Sequence, residues 1–222
     1  MIERIHVIGS GRVGLAVAAR LRERGLAVGT EAPELVLLCV PDAAIAEVAA
    51  SIEPGPWVAH VSGATPLAAL APHARRFGVH PLQTFTTAGG PEQLDGAWAA
   101  VTAETAAARE AGLWLAETLG LRPFELADSA RTLYHAGAVF ASNYLVTVHR
   151  AASLLFDAAG APPEALEPLM RRTIENGFEL TGPIARGDWA TVEAHRAAIR
   201  AGRPELDHLY ETLAGATLAL AT

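Results

Sequence analysis

The chain contains no lysine; all 17 of its basic residues are arginine. Arginine stays protonated at any working pH, so it binds anions well and shuttles protons poorly. Schiff-base chemistry and a lysine general acid are thereby excluded. There is one cysteine, Cys39, so an intrachain disulfide is excluded too. Cys39 lies in an apolar run, where a buried, inert thiol is expected rather than a nucleophile that needs a lowered pKa. Aromatic residues make up only 6% of the chain and alanine is abundant, which favours helices packed closely through small side chains. No apolar run approaches the roughly 20 residues that span a bilayer. The N-terminus enters a strand directly and no secretory signal is expected, so a cytoplasmic location is the default. The net charge is −7, which leaves no basic stripe for phosphate neutralisation and makes nucleic acid an unexpected partner. The histidines are scattered without ligand spacing, and no metal site is expected.

What is present begins at residue 5. Half of the 222 residues are hydrophobic (51%), enough to bury a real core in one domain or two small ones. Ile5-His6-Val7-Ile8 reads as a buried strand, and residues 13–24 carry apolar side chains at helical spacing with a basic outer face. Between them stands Gly9-Ser10-Gly11-Arg12-Val13-Gly14. Strand, glycine turn and helix in this order are the context of the dinucleotide fingerprint. The first glycine allows the tight turn, the second lets backbone approach a pyrophosphate, and the third lets helix pack on strand. The helix start adds free N–H groups and a partial positive charge. Glycine turns also join strands to helices for packing alone.

Residues 25–34 form a short passage before Leu35-Val36-Leu37-Leu38-Cys39-Val40, whose apolar continuity suits a central parallel strand covered on both faces. Ten residues cannot hold the strand, helix and strand of an ordinary dinucleotide fold, so the second strand is expected to be stunted or lost. Its end normally carries the acid that holds the ribose. Thr30, Glu31 and Glu34 are the candidates there; Glu31 is the best placed, with a solvated loop carboxylate as the alternative.

Further on, the pattern predicts a helix over 42–49 capped by Asp42, strands at 57–61 and 78–82, and a short helix at 66–75. Two outer strands at 97–102 and 122–126 flank a helix over 104–119. Beyond 127 only helices are expected. One runs about thirty residues from a cap at Asp128 or Ser129, roughly 45 Å and too long for one small domain's interior. Others are expected over 163–178, from a cap at Asp188 to 201, and over 204–220, and the small-residue tail 214–221 invites close packing in a homodimer. The fold class is α/β: a Rossmann-type, mainly parallel sheet with a shortened second strand at 1–127, then an all-α domain at 128–222 for substrate and dimerisation.

Ligands of a doubly wound sheet collect outside the carboxyl ends of its strands. Residues 9–14, 40–42, 60–65 and 80–84 reach that edge, bringing Val40 and Pro41 beside the glycine turn and Ser62, His80, Gln83 and Thr84 as its polar groups. His80 is the natural proton donor or acceptor for hydride transfer; a turn histidine bonded to backbone is the alternative. His60 reads as core. On the long helix His135, Val139 and Asn143 fall four apart on one face, flanked by Tyr134 and Ser142, and His135 is a second candidate acid. Thr181, Arg186 and Asp188 belong to a glycine-proline turn, where Arg186 could pair bidentately with a substrate carboxylate or simply be solvated.

Six stretches carry a family resemblance: Ile8-Gly9-Ser10-Gly11-Arg12-Val13-Gly14; Cys39-Val40-Pro41-Asp42; His60-Val61-Ser62-Gly63-Ala64; Gly78-Val79-His80-Pro81-Leu82-Gln83-Thr84-Phe85; Tyr134-His135-Ala136-Gly137-Ala138-Val139-Phe140-Ala141-Ser142-Asn143-Tyr144; and Thr181-Gly182-Pro183-Ile184-Ala185-Arg186-Gly187-Asp188. Over nearly its whole length the chain resembles the Rossmann-like proteins whose C-terminal half is the domain of unknown function 2520. These are similar to pyrroline-5-carboxylate reductase, prephenate dehydrogenase and the 6-phosphogluconate dehydrogenases. The resemblance implies an NADP- or NAD-dependent oxidoreductase of a small keto acid, hydroxy acid or imine bound in an interdomain cleft. It implies Ser62 and His80 as the first catalytic pair, and Asn143 as a holder of the substrate carboxylate or carbonyl. Related hydroxyacid dehydrogenases carry a lysine one turn before the asparagine, where this chain has Val139, so that mechanism is lost. A non-catalytic nucleotide- or metabolite-binding protein that kept the fold is the alternative.

Overall fold

A computed structural model describes residues 2–29 and 31–220. Its strands are β1 (Arg4–Ile8), β2 (Ala27–Val28), β3 (Leu35–Leu38), β4 (Trp57–His60), β5 (Arg76–Leu82), β6 (Trp98–Ala103) and β7 (Arg122–Glu125). They form one sheet in the order β2-β1-β3-β4-β5-β6-β7. The first five are parallel, β6 runs antiparallel to β5, and β7 follows β6. This is the Rossmann-type α/β sheet expected, and helices alone follow it.

The apolar run at 35–38 is central because side chains alternate faces along a strand. Leu35 and Leu37 enter the core beneath α1 (Arg12–Glu23) and α3 (Ala106–Thr118), while Val36 and Leu38 pack with Ile45 and Ala49 of α2 (Ile45–Ala50). All four are buried. The outer face of α1 carries the exposed Arg12 and Arg22, but one arginine of the helix turns inward. Arg20 is buried and donates to Asp95 Oδ1 at 2.6 Å, Pro91 O at 2.8 Å and Leu119 O at 3.2 Å, tying the loop before β6 to α1.

Contacts divide the chain into two compact units, Met1–Phe140 and Ala141–Thr222. The division falls later than the change of composition near 127, because α4 (Arg131–Val139) belongs with the sheet. Several local expectations are corrected. Asp42 and Asp128 do not cap their helices; Asp128 Oδ1 instead accepts the Leu67 N–H at 2.9 Å, a partner 61 residues away. The helix expected at 66–75 shrinks to a 3-10 turn, Leu67–Leu70, and that expected at 163–178 to a 3-10 turn followed by α6 (Leu166–Glu175). The long helix is interrupted by a π segment, Phe140–Tyr144, before α5 (Leu145–Ala158).

In the second unit Asp188 does cap α7 (Trp189–Gly202), accepting the Thr191 N–H at 3.1 Å. Arg196 on α7 grips Asp207 and Glu211 of α8 (Asp207–Leu220) at 2.9 and 2.8 Å. Ala221, the end of the small-residue tail, lies outside the described residues. Among the described residues no helix is long and apolar enough to cross a membrane.

Candidate functional site

The glycine turn has a division of labour. Gly9 has φ +120°, and a Cβ there would lie 2.2 Å from the Cys39 carbonyl oxygen. A Cβ on Gly14 would lie 2.0 Å from the Gly9 oxygen. Both glycines are demanded by the chain's own backbone. Gly11 is different: nothing lies within 4 Å of the place its Cβ would take. Gly11 is also the N-cap of α1, with no side-chain cap and no acid in the first turn, so the first N–H groups of the helix are left for an outside acceptor. Ser10 and Arg12 beside it are exposed, and Val13 is half-buried. Val40 and Pro41 follow β3, the immediate neighbour of β1. Burial pushes the Cys39 thiol up to about 12, which makes it inert at neutral pH.

The ribose side is short. Val28, the last residue of β2, pairs with Ile5, and so does Leu35, the first of β3. The second strand is stunted rather than lost, ending opposite a residue three before Ile8 and thus about 10 Å below the carboxyl edge. Glu31 is exposed on the turn between them; Thr30 lies outside the described residues. Glu34 points to the opposite edge, its Oε2 accepting the Glu3 and Arg4 N–H groups at 2.8 and 3.1 Å.

A second centre lies at the carboxyl ends of β4 and β5. His80 Nδ1 is 2.8 Å from the Tyr134 hydroxyl of α4, and the His80 and His135 ring centroids are 5.9 Å apart. The two rings close over Gly63, whose Cβ would lie 2.5 Å from His135 Cδ2 and 2.9 Å from His80 Nε2. Burial, then repulsion from His135 and Arg131, pushes His80 down to about 4. Burial pushes the Tyr134 phenol up to about 12. Both are therefore neutral near pH 7.

Ser62 is close to this centre but is not the partner of His80. Its Oγ accepts the Ala64 and Thr65 N–H groups at 3.2 and 3.0 Å and donates to Thr65 Oγ1 at 2.9 Å. A serine ending a strand before such a turn satisfies local backbone first. Gln83 spends its amide likewise, donating to Gln93 O at 3.0 Å and accepting the Thr84 N–H at 2.8 Å; Thr84 itself is exposed. In the second unit Asn143 is exposed within the π segment, its Oδ1 accepting from Ser142 Oγ at 3.1 Å. Thr181 and Arg186 are exposed, Arg186 lying near enough to help hold the Asp188 carboxyl below its usual range, behind the Thr191 hydrogen bonds. Among the described residues no group of three or more His, Cys, Asp or Glu side chains could hold a metal ion.

A family model described as domain of unknown function DUF2520 matches residues 97–217. The chain belongs to the DUF2520 family. No curated protein matches it. Among solved structures it is similar to a Bacteroides fragilis protein named as a candidate NADP oxidoreductase, with TM-score 0.81, 21% identity and 98% of each chain covered. It is also similar to a Thermotoga maritima protein, with TM-score 0.76, 23% identity and coverage of 98% and 97%. A reductive aminase from Aspergillus terreus, in complex with NADPH and ethyl levulinate, has TM-score 0.67, 16% identity and coverage of 99% and 94%. At these identities the shared property is the fold.

In this DUF2520 chain one residue of the site escapes a linear reading. Arg131 is 1% exposed and reaches three acceptors beneath the sheet edge: Thr65 O at 2.8 Å, Thr102 Oγ1 at 2.7 Å and Ser62 O. Its available signal was spacing alone, three and four residues before Tyr134 and His135 on one helix face. His60 proves to be core, as its strand position implied, but among the described residues both of its ring nitrogens are without a hydrogen-bond partner. Burial and the Arg131 charge push it down to about 3.

Proposed function

We propose that the protein is an NAD(P)-dependent oxidoreductase acting on a small keto acid, hydroxy acid or imine. The observation that carries this reading is the open space beside Gly11 at an uncapped helix start, while Gly9 and Gly14 are closed by backbone. Such a cradle fits a pyrophosphate, with Ser10, Arg12 and the first N–H groups of α1 as its donors and Val40 and Pro41 beside it. A bound nicotinamide would supply or accept the hydride. The chain's own part is to handle the proton. A Tyr134 hydroxyl proton donated to His80 Nδ1 leaves the imidazole proton on Nε2, the nitrogen that faces Gly63. A neutral imidazole so held offers a hydrogen bond to a substrate carbonyl or imine and accepts a proton in the reverse direction. His135 borders the same place, and Asn143, Thr181 and Arg186 remain candidates for holding substrate. The stub of β2 supports a second reading, a nucleotide-binding protein without catalysis, because little is left to grip the ribose beyond Glu31.

Titration with NADPH and NADH, followed by nicotinamide fluorescence, tests the reading. Micromolar affinity for one of them is expected; undetectable binding of both at millimolar concentration rejects it. Gly11→Ala is expected to leave the melting temperature unchanged, since its Cβ meets nothing in the protein, and to weaken cofactor binding roughly tenfold or more, about 1.4 kcal/mol. Equal affinities in the two proteins would show that nothing approaches Gly11.

We also infer a homodimer. Among the described residues of the second unit only Leu166, Val192, Ile199 and Ala214 are buried apolar side chains, and α5 buries none. Leu145, Val146, Ile174 and Phe178 are all exposed by 45% or more. Exposed apolar surface on this scale marks an interface, and a second copy of the chain is its occupant. Light scattering at micromolar concentration is expected to give twice the chain mass; a monomer mass refutes the inference.

A further inference from the structure

The charge of Arg131 is buried without a carboxylate partner: it forms no ion pair among the described residues, and its three hydrogen bonds all go to neutral oxygens. Asp128 and Asp42 act on it only from a distance, Asp128 being bonded to the Leu67 N–H. Around it, His60 and His80 are held neutral. Natural proteins seldom bury such a charge unless something compensates it. The direction of one contact says what does. Arg131 donates to the Ser62 carbonyl, and in a planar trans peptide the N–H points opposite to the C=O. The Gly63 N–H is therefore aimed away from Arg131. Gly63 is buried, yet its N–H meets no acceptor among the described residues, whereas the next two N–H groups are both taken by Ser62 Oγ. A buried backbone N–H is rarely left so. Drawing on the Ser62 oxygen also polarises that peptide and strengthens its N–H as a donor.

We propose that the Gly63 N–H is the anion-binding donor of the site, that the group it receives is a substrate carboxylate, and that Arg131 is its positioning residue. The proposal rests on the reading of this edge as the reacting site and narrows the substrate to an acid. The Arg131 fork fixes the 62–65 turn from below through the Ser62 and Thr65 carbonyls, and its charge favours an anion in front of the His80 and His135 rings.

The test is an oxalate titration of the full-length 15N-labelled protein, in the absence of nucleotide, followed by amide and imidazole NMR, with acetamide as the neutral control. Oxalate is expected to move the Gly63 amide proton downfield and to shift the His80 and His135 ring protons, while acetamide moves none of them. Arg131→Gln is expected to weaken the oxalate affinity at least tenfold. Arg131→Lys, which keeps the charge but not the fork, is expected to fall between. A Gly63 amide unmoved by oxalate in the unsubstituted protein overturns the proposal even where the variants fail to fold, and so does Arg131→Gln binding oxalate as well as the parent. Oxalate binding of the expected kind in a protein that binds neither NADPH nor NADH would overturn the oxidoreductase reading and leave this one standing.

Discussion

Lowering the pH from about 7.5 to about 4.5 is expected to destabilise the sheet-bearing unit by roughly 5 kcal/mol. The cause is a pair of histidines that the fold holds neutral. His60 is pushed from 6.5 to about 3 and His80 from 6.5 to about 4, chiefly by burial. In the unfolded chain both take up a proton near 6.5, so the unfolded state binds more protons throughout the interval below that value. Stability is thus complete above about pH 6.5 and is lost as the pH falls toward 4 and then 3. Each histidine contributes about 1.4 kcal/mol per pH unit within its window, against a total of roughly 5–15 kcal/mol for a domain. Urea unfolding followed across this range measures the slope. His60→Leu is expected to remove about half of it. The same variant should cost nothing at neutral pH, because both imidazole nitrogens it deletes are buried without hydrogen-bond partners among the described residues and an apolar group of similar size carries no such penalty. An acid slope unchanged in His60→Leu would assign the effect to other groups.

The second large effect is expected at the glycine turn. Gly14→Ala places a Cβ 2.0 Å from the Gly9 oxygen and 3.2 Å from Cys39 Cβ, and Gly9→Ala places one 2.2 Å from the Cys39 oxygen in a backbone with φ +120°. The obstacles are backbone atoms of β3's end and of the turn itself, which no rotamer change can move. Each substitution is expected to cost about 3 kcal/mol or more, read as a lowered urea midpoint with cofactor affinity falling only as the folded fraction falls. Gly11→Ala is the internal contrast, three chemically identical changes within six residues acting on stability at two positions and on binding at the third. Melting temperatures equal among the three variants would refute this division.

The glycine turn was legible because its signal is local: an apolar strand, three glycines and an apolar-periodic helix follow one another within about twenty residues, and each neighbour is set by the peptide geometry. The stunted second strand was legible by counting, since residues 29–34 must leave and return to the level of Ile5. Asp128 shows the limit. A carboxylate before a helix reads as a cap, but the Leu67 N–H, brought alongside by the sheet, takes it instead. Ser62 fails as the partner of His80 for a related reason: its own turn offers two N–H donors nearer than any imidazole.

By itself the sequence determined the order of strands and helices, the buried run at 35–38, the glycine turn and the presence of histidine at the carboxyl edge, all of which follow from periodicity and from residues with narrow conformational uses. Only the tertiary structure decided that His80 meets Tyr134, that Gly63 lies beneath two imidazoles, and that Arg131 is buried under the 62–65 turn. Those facts depend on helix α4 lying along the edge of β4 and β5, which join residues 54 and 66–69 positions apart. No spacing along the chain encodes such a meeting, because it is set by how the burial of apolar faces stacks one element on another.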